Sequence, residues 1–210
     1  MESLGLAGRI GVRAAKAGVA IDGRAMDALA GYVELLLRWN RRMNLTGLSD
    51  DDKGLDRLVV EPLVAAGILG GGVCSIVDIG SGGGSPAVPM KLAVPGLRLR
   101  MVEPRMRRGA FLREVVRVLC LEDVVVETCR YEELLRRPDL REAADVVTAR
   151  AVRVETHLLE GLLKVGGRLL LFRGSAKVDV ADAVRPPMRW KATYPLVESS
   201  GSRLEVLQKT

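Results

Sequence analysis

Residues 76–90, IVDIGSGGGSPAVPM, constrain this chain more than any other stretch. An apolar run carrying one acid, Asp78, passes into a glycine cluster, and two prolines then open a helical segment. The pattern predicts strand, tight turn, helix. Gly80, Gly82, Gly83 and Gly84 remove the side chains that would keep a ligand away from the backbone N–H groups, and the helix N-terminus behind them suits a nucleotide-like group. The dinucleotide fingerprint G-x-G-x-x-G puts its third glycine five residues after its first. Here that position is Ser85, and Gly84 closes the pattern one residue early. G-x-G-x-G after an acid-tipped strand is the turn of S-adenosylmethionine (SAM) sites. A glycine-rich loop is more often a plain turn than a cofactor cradle; its place between a clear strand and a clear helix tips the balance.

A chain of 210 residues holds one α/β domain with a substantial core and a small appendage, not two full domains. No apolar run approaches the roughly 20 residues that span a bilayer, and the opening MESLGLAGRIG lacks a signal-peptide core. A cytoplasmic protein is expected. Cys74, Cys120 and Cys129 make an odd count without a C-x-x-C pair, and His157 is the one histidine, so neither a disulfide framework nor a metal site is supported. All three thiols are expected to be buried. The net charge of +6 is carried mostly by arginine. It favours a polyanionic partner, because neutralising phosphates releases counterions, although many soluble enzymes share this balance. Scarce aromatics argue against a surface that binds by stacking rows of bases.

Along the chain, residues 22–46 predict an amphipathic helix with Asp22 as N-cap and Leu29, Val33, Leu36 and Leu37 on one face. At its end Arg38, Arg41 and Arg42 interleave with Trp39, Asn40 and Asn44. The plain reading is cations complementing the helix dipole while Trp39 packs on the core. Asp50, Asp51 and Asp52 read as a loop, 55–68 as a helix, and Gly70, Gly71 and Gly72 as a hinge. From Cys74 onward strands alternate with helices, which predicts a parallel sheet covered on both faces. The strands are 74–79, 97–102, 124–128, 145–148 and 168–172, with helices at 106–119 and 154–163 and a turn at Gly166 and Gly167. A C-terminal antiparallel hairpin ends in a strand near 204–207. The division expected is an N-terminal helical region, 1–69, and a catalytic domain, 70–210, packed as one unit.

Glu103 closes the second strand about 20 residues beyond Gly80, where doubly wound folds present an acid to ribose hydroxyls. Tyr131 and Glu132 follow the third strand and border an adenine in that scheme. Arg150 follows the fourth strand. The arginines of 105–117, Arg107 and Arg108 among them, are either the wet face of a helix or a phosphate-binding set.

Assembled, these segments resemble the bacterial 16S ribosomal RNA guanine-N7 methyltransferases, the RsmG or glucose-inhibited division protein B family. The blocks are LLLRWNRRMNLT, IVDIGSGGGSPAVPM, RMRRGAFLREV, CRYEE, VVTARAV and GGRLLLFRG, and their order covers nearly the whole chain. The resemblance implies a Rossmann-like class I SAM-dependent methyltransferase: a mostly parallel seven-stranded sheet with a small N-terminal helical region. It implies a cofactor site at Gly80, Ser85, Tyr131, Glu132 and Arg150, to which the turn and strand ends add Asp78, Gly82, Gly84 and Glu103. Arg107, Arg108 and Arg173 become candidates for RNA phosphates. The partner implied is ribosomal RNA or the small ribosomal subunit, with the enzyme a monomer that needs no metal and touches no membrane.

The chain departs from the family at several positions. Ser85 stands for a bulkier apolar residue, Glu103-Pro104 for Asp-Ser, Tyr131 for a small residue and Arg173 for lysine. Leu58, Glu61 and Pro62 replace a histidine and an Asp-Ser pair, and Ala110 replaces a basic residue. The chemistry agrees with what is missing. The fourth strand is followed by TARA rather than the N/D-P-P-Y/F loop typical of exocyclic amino methylation, and no cysteine follows a proline, as C5 methylation of cytosine often needs. Guanine N7 requires neither, since its lone pair is unprotonated at neutral pH. Arg150 is then a positioning group, with no general base expected, and His157 is structural. Two alternatives remain: a paralogue methylating another RNA or a small molecule, and a SAM- or RNA-binding module without turnover.

Overall fold

The computed structural model describes residues 4–174 and 184–210. Alternating apolar strands and helices build one sheet from β1 (Ser75–Ile79), β2 (Arg98–Val102), β3 (Val124–Glu127), β4 (Ala144–Arg150), β5 (Leu163–Arg173), β6 (Met188–Pro195) and β7 (Arg203–Lys209). The order is β3-β2-β1-β4-β5-β7-β6. The first five strands run parallel, and β7 is antiparallel to both neighbours. This is the Rossmann-like class predicted from the sequence.

The central strands are apolar on both faces because both are covered. On β4, Val146 faces one core and Val147 the other. The first core joins Ile76, Met101, Val146, Leu170 and Val206 to α1 (Leu6–Lys16), α2 (Gly23–Met43), α4 (Glu61–Ile68), α5 (Ala87–Ala93) and α6 (Met106–Val118). Leu29, Val33 and Leu36 of α2 are fully buried there, each contributing about 1.5–3 kcal/mol relative to exposure. The second core is smaller and lies under α7 (Tyr131–Leu134) and α8 (Thr156–Leu159).

Asp22 caps α2 as expected, accepting from Ala25 N at 2.7 Å. The helix stops at Met43 rather than residue 46, because Asn44 takes a left-handed conformation and Asn40 bonds both N and O of Thr46. Three further expectations are corrected along the backbone. The triple-Asp stretch is not all loop: Asp51 caps α3 (Asp52–Leu55), its carboxylate accepting from Gly54 N. A π-helical turn, Asp56–Val60, then runs without a break into α4. The helix expected over 154–163 shrinks to α8 and a 3₁₀ turn, since Leu163 already pairs with Ala144 as the start of β5. Gly166 and Gly167 consequently lie inside β5, where they form a bulge between the Ala144–Leu163 and Val146–Arg168 pairs.

The cysteines are corrected as well: Cys74 and Cys120 are exposed and Cys129 is half-buried. Cys74 precedes β1 and Cys120 ends α6 with φ 49°, and such termini sit at the surface. His157 is exposed too, its ring 3.6 Å from Glu155 on α8, so it packs against no core.

Candidate functional site

The glycine loop after β1 is pinned from three sides. Gly80 N and Ser81 N donate to Val102 O at 2.8 and 3.0 Å, tying the loop to the end of β2. Gly82 N donates to Glu103 Oε2 at 3.0 Å, while Glu103 Oε1 accepts from Arg105 N at 2.9 Å. From α2, the buried Tyr32 hydroxyl donates to Gly83 O at 2.7 Å, and burial pushes that phenol's pKa far up. Gly82 has φ +50°, and a Cβ built there meets nothing nearer than 3.6 Å; one at Gly80 would lie 3.0 Å from Val152. The loop is therefore filled behind Gly80, while a Cβ at Gly82 would sit in ordinary contact with Arg108 on the cavity side.

Asp78 is 1% exposed. Its Oδ1 accepts from Thr148 Oγ1 at 2.6 Å, and its Oδ2 has no partner among the described residues. Burial raises its pKa to about 6, against the opposing effect of the Thr148 hydrogen bond.

Arg150, the last residue of β4, has a side chain only 11% exposed. Its Nη2 donates to Glu61 Oε2 at 2.6 Å, and its Nη1 donates to Arg57 O and, at 3.2 Å, to Ser85 Oγ. The guanidinium carbon lies 5.6 Å from the Phe172 ring centroid. Burial lowers the Arg150 pKa from its ordinary value, and the Glu61 carboxylate opposes that shift. Glu61 is itself 1% exposed, and its second oxygen accepts from Ser202 Oγ at 2.6 Å. Ser85 Oγ donates to Leu58 O at 2.9 Å. The π-helical turn thus presents two carbonyls, of Arg57 and Leu58, to the site.

Between the glycine loop and the N-terminal helices lies a cavity of about 430 Å³, lined by Leu36, Leu45, Gly80, Gly82, Ser85, Arg108 and Arg150 among others. Of the residues singled out from sequence, Gly80, Gly82, Ser85, Arg108 and Arg150 meet here. Asp78, Gly84 and Glu103 adjoin them through the loop. Tyr131 and Glu132 open α7 away from this lining; the Tyr131 hydroxyl accepts from Glu155 N at 3.4 Å and the ring packs on the second core. Arg107 lines a different groove. Arg173 ends β5 half-buried, its Nε without a partner among the described residues.

Sequence reading passed over Tyr32 and Ser202, and saw Glu61 only as a departure. A lone acid in the apolar run VVEPLVAAG is a usable signal, because a buried carboxylate demands a cation. Neither Tyr32 nor Ser202 carries a comparable one.

The family model described as rRNA small subunit methyltransferase G matches residues 25–195. The ribosomal RNA small subunit methyltransferase G of Roseiflexus sp. (strain RS-1) is 41% identical over 170 residues, which is 80% of this chain and 71% of that protein. The protein of the same name from Acetivibrio thermocellus is 32% identical over 169 residues, 79% and 70% of the two chains. Among solved structures, a SAM dependent methyltransferase from Aquifex aeolicus aligns with a TM-score of 0.55, covering 75% of this chain and 93% of that one. At 14% identity that likeness speaks to the fold alone.

Proposed function

The chain belongs to the rRNA small subunit methyltransferase G family, and from that premise we propose how its own residues carry out methyl transfer from SAM to N7 of a guanine in 16S ribosomal RNA. The observation that carries the assignment is the cavity where the glycine loop meets a buried, fully engaged Arg150. The residues present fit SAM. Gly82 lines the cavity without a side chain, Asp78 keeps a buried carboxylate oxygen unpartnered beside the loop among the described residues, and Glu103 closes β2 against it.

We assign Asp78, Gly80, Gly82, Gly84, Ser85 and Glu103 to holding the cofactor. Tyr131 and Glu132 join them on their place at the carboxyl end of β3, where open α/β sheets bind ligands. When bound, SAM supplies an electrophilic methyl carbon on a sulfonium. The protein's work is then alignment rather than proton transfer, since guanine N7 attacks through an unprotonated lone pair and its methylated product need lose no proton. Arg150 suits that role, because three hydrogen bonds and the face of Phe172 fix its guanidinium at the cavity wall. Leu36 and Leu45 exclude water beside it. Arg107, Arg108 and Arg173 are assigned to RNA phosphates, with Arg108 nearest the cavity.

We read residues 1–69 and 70–210 as one working unit, supported by the shared core and by the bond from Tyr32 to the glycine loop. Its place is the cytoplasm, as a monomer; among the described residues no helix is long and apolar enough to cross a membrane.

Incubating the protein with labelled SAM and either unmethylated small subunits or protein-free 16S RNA should place label on guanine. SAM binding with no transfer to any RNA would leave a binding module, and transfer to another RNA alone would leave a paralogue. Gly82→Val should lower SAM affinity at least tenfold, about 1.4 kcal/mol, by putting a branched side chain at a left-handed position on the cavity side of the loop. Unchanged affinity would remove this loop from the cradle.

A further inference from the structure

We propose that the groove between the C-terminal end of α2 and the first turn of α6 is a docking surface for the phosphodiester backbone of the RNA substrate, distinct from the cofactor cavity. This rests on the rRNA methyltransferase reading and adds to it the face along which the RNA runs.

The groove has a volume of about 700 Å³ and is lined by Arg38, Arg41, Arg42 and Arg107 over Trp39 and Met43. The four arginines are exposed, and among the described residues none makes an ion pair or side-chain hydrogen bond with an acid. Several arginines elsewhere are paired with acids, Arg13 with Asp56, Arg100 and Arg137 with Glu127, Arg117 with Glu114, and others stand singly; the groove differs in gathering four around one concavity. Glu114, the acid that feels the field of Arg38, is already held by Arg117. Four like charges around one concavity, with no acid bonded to them among the described residues, form the electrostatic footprint of a polyanion site.

The plain alternative is that these cations complement helix dipoles. It accounts for Arg41 and Arg42, which sit in the last turn of α2. It fails for Arg107, which sits in the first turn of α6, where no acid is present and a cation opposes the dipole. Glu103 bonds the N-cap N–H of Arg105, but its other oxygen serves Gly82 N and it makes no ion pair with Arg107. The groove base is also preformed. Trp39 is half-buried and leans on Phe111, ring centroids 5.6 Å apart and planes at 58°, so the aromatic part of the lining needs no ordering on binding.

Neighbouring residues link the groove to the cavity. Arg107 faces the groove while Arg108 lines the cavity, and Met43 faces the groove while Leu45 lines the cavity. A guanine in the cavity would have its flanking phosphates led across α2 and α6. A continuous polyanion satisfies both concavities at once, which favours RNA over an acidic protein face.

The test is the salt dependence of binding to protein-free 16S RNA. Abolishing one phosphate contact should reduce the slope of log K against log salt by just under one. Arg107→Gln should flatten it by about one and Arg41→Gln with Arg42→Gln by about two, with SAM affinity and thermal unfolding midpoint unchanged. Arg42→Lys, which keeps the charge, should retain the wild-type slope. Wild-type slope and affinity in the Gln variants would overturn the proposal, as would an effect seen only with assembled subunits, which would assign the groove to a ribosomal protein. Should the wild-type protein methylate no RNA, the functional reading fails on that assay, while the salt slopes still decide whether the groove binds RNA.

Discussion

Arg150 and the arginines of the α2–α6 groove carry the same guanidinium under opposite conditions. Arg150 is mostly buried at the cavity wall, and its charge is met by Glu61, by the Arg57 carbonyl, by Ser85 and by the face of Phe172. In the groove, Arg38, Arg41, Arg42 and Arg107 stand in solvent with no acid bonded to them among the described residues. Desolvating an ion costs several kcal/mol, so a buried charge persists only where its partners are complete. An exposed charge costs little to hold and keeps its pairing capacity for whatever arrives. One cluster commits its hydrogen bonds to geometry, and the other keeps them for a partner.

The contrast is most exposed to disproof at Glu61. Glu61→Ala leaves the Arg150 guanidinium buried beside a void and should destabilise the protein by about 3–5 kcal/mol, read by urea unfolding, with methyl transfer abolished. A cost below about 1 kcal/mol would mean that cavity water satisfies the Arg150 charge without Glu61 and that the contrast is false.

Asp78 supplies the next largest effect, through pH. Its folded pKa of about 6 lies above the ordinary carboxyl value near 3.9, so the folded state holds more protons between those limits. By linkage this group's contribution is most favourable below about pH 4 and is lost as pH rises through 6. The whole swing is about 3 kcal/mol at most. Asp78→Asn should remove that slope from stability measured between pH 4 and 7; an unchanged slope would assign the titration elsewhere.

Ser202→Ala takes one hydrogen bond from the Glu61 carboxylate and should cost about 1–2 kcal/mol. Its effect should shrink in a Glu61→Ala background to what the Ser200–Ser202 hydroxyl contact contributes, which a double-mutant cycle measures. The smallest effect belongs to the groove. Arg41→Gln with Arg42→Gln should change unfolding free energy by no more than about 0.5 kcal/mol, and a larger change would make these residues structural after all.

How far the sequence revealed the molecule follows from the reach of each interaction. The glycine loop, Glu103 and the central strands were legible because strand, turn and strand end form one local pattern, and Asp22 because a cap and the N–H groups it serves are neighbours. The Arg150 network was not, since Glu61 lies 89 positions from Arg150 and 141 from Ser202; such pairings exist only once the sheet is assembled. Gly166 and Gly167 show the reverse error. Two glycines signal a turn, but β-pairing on either side absorbed them as a bulge. The first helix, α1, escaped notice because Gly8 and Gly11 weaken its local propensity, while its stability comes from Ile10 and Ala14 buried in the first core and from Arg13 paired with Asp56.

The π-helical turn Asp56–Val60 absorbs a surplus. A π turn takes in more residues than the 3.6 of an α turn, and the surplus widens the turn. Removing one residue between 56 and 60 would let the segment rewind as α-helix with the phase of α4 roughly kept, but without the wide turn that presents the Arg57 and Leu58 carbonyls. Glu61 would keep its direction, while the Arg150 guanidinium and the Ser85 hydroxyl would lose those carbonyl partners. Alignment at the cavity wall is thus encoded partly as a residue count, and a one-residue deletion in a turn that holds Arg150 through its backbone should act there like an active-site mutation.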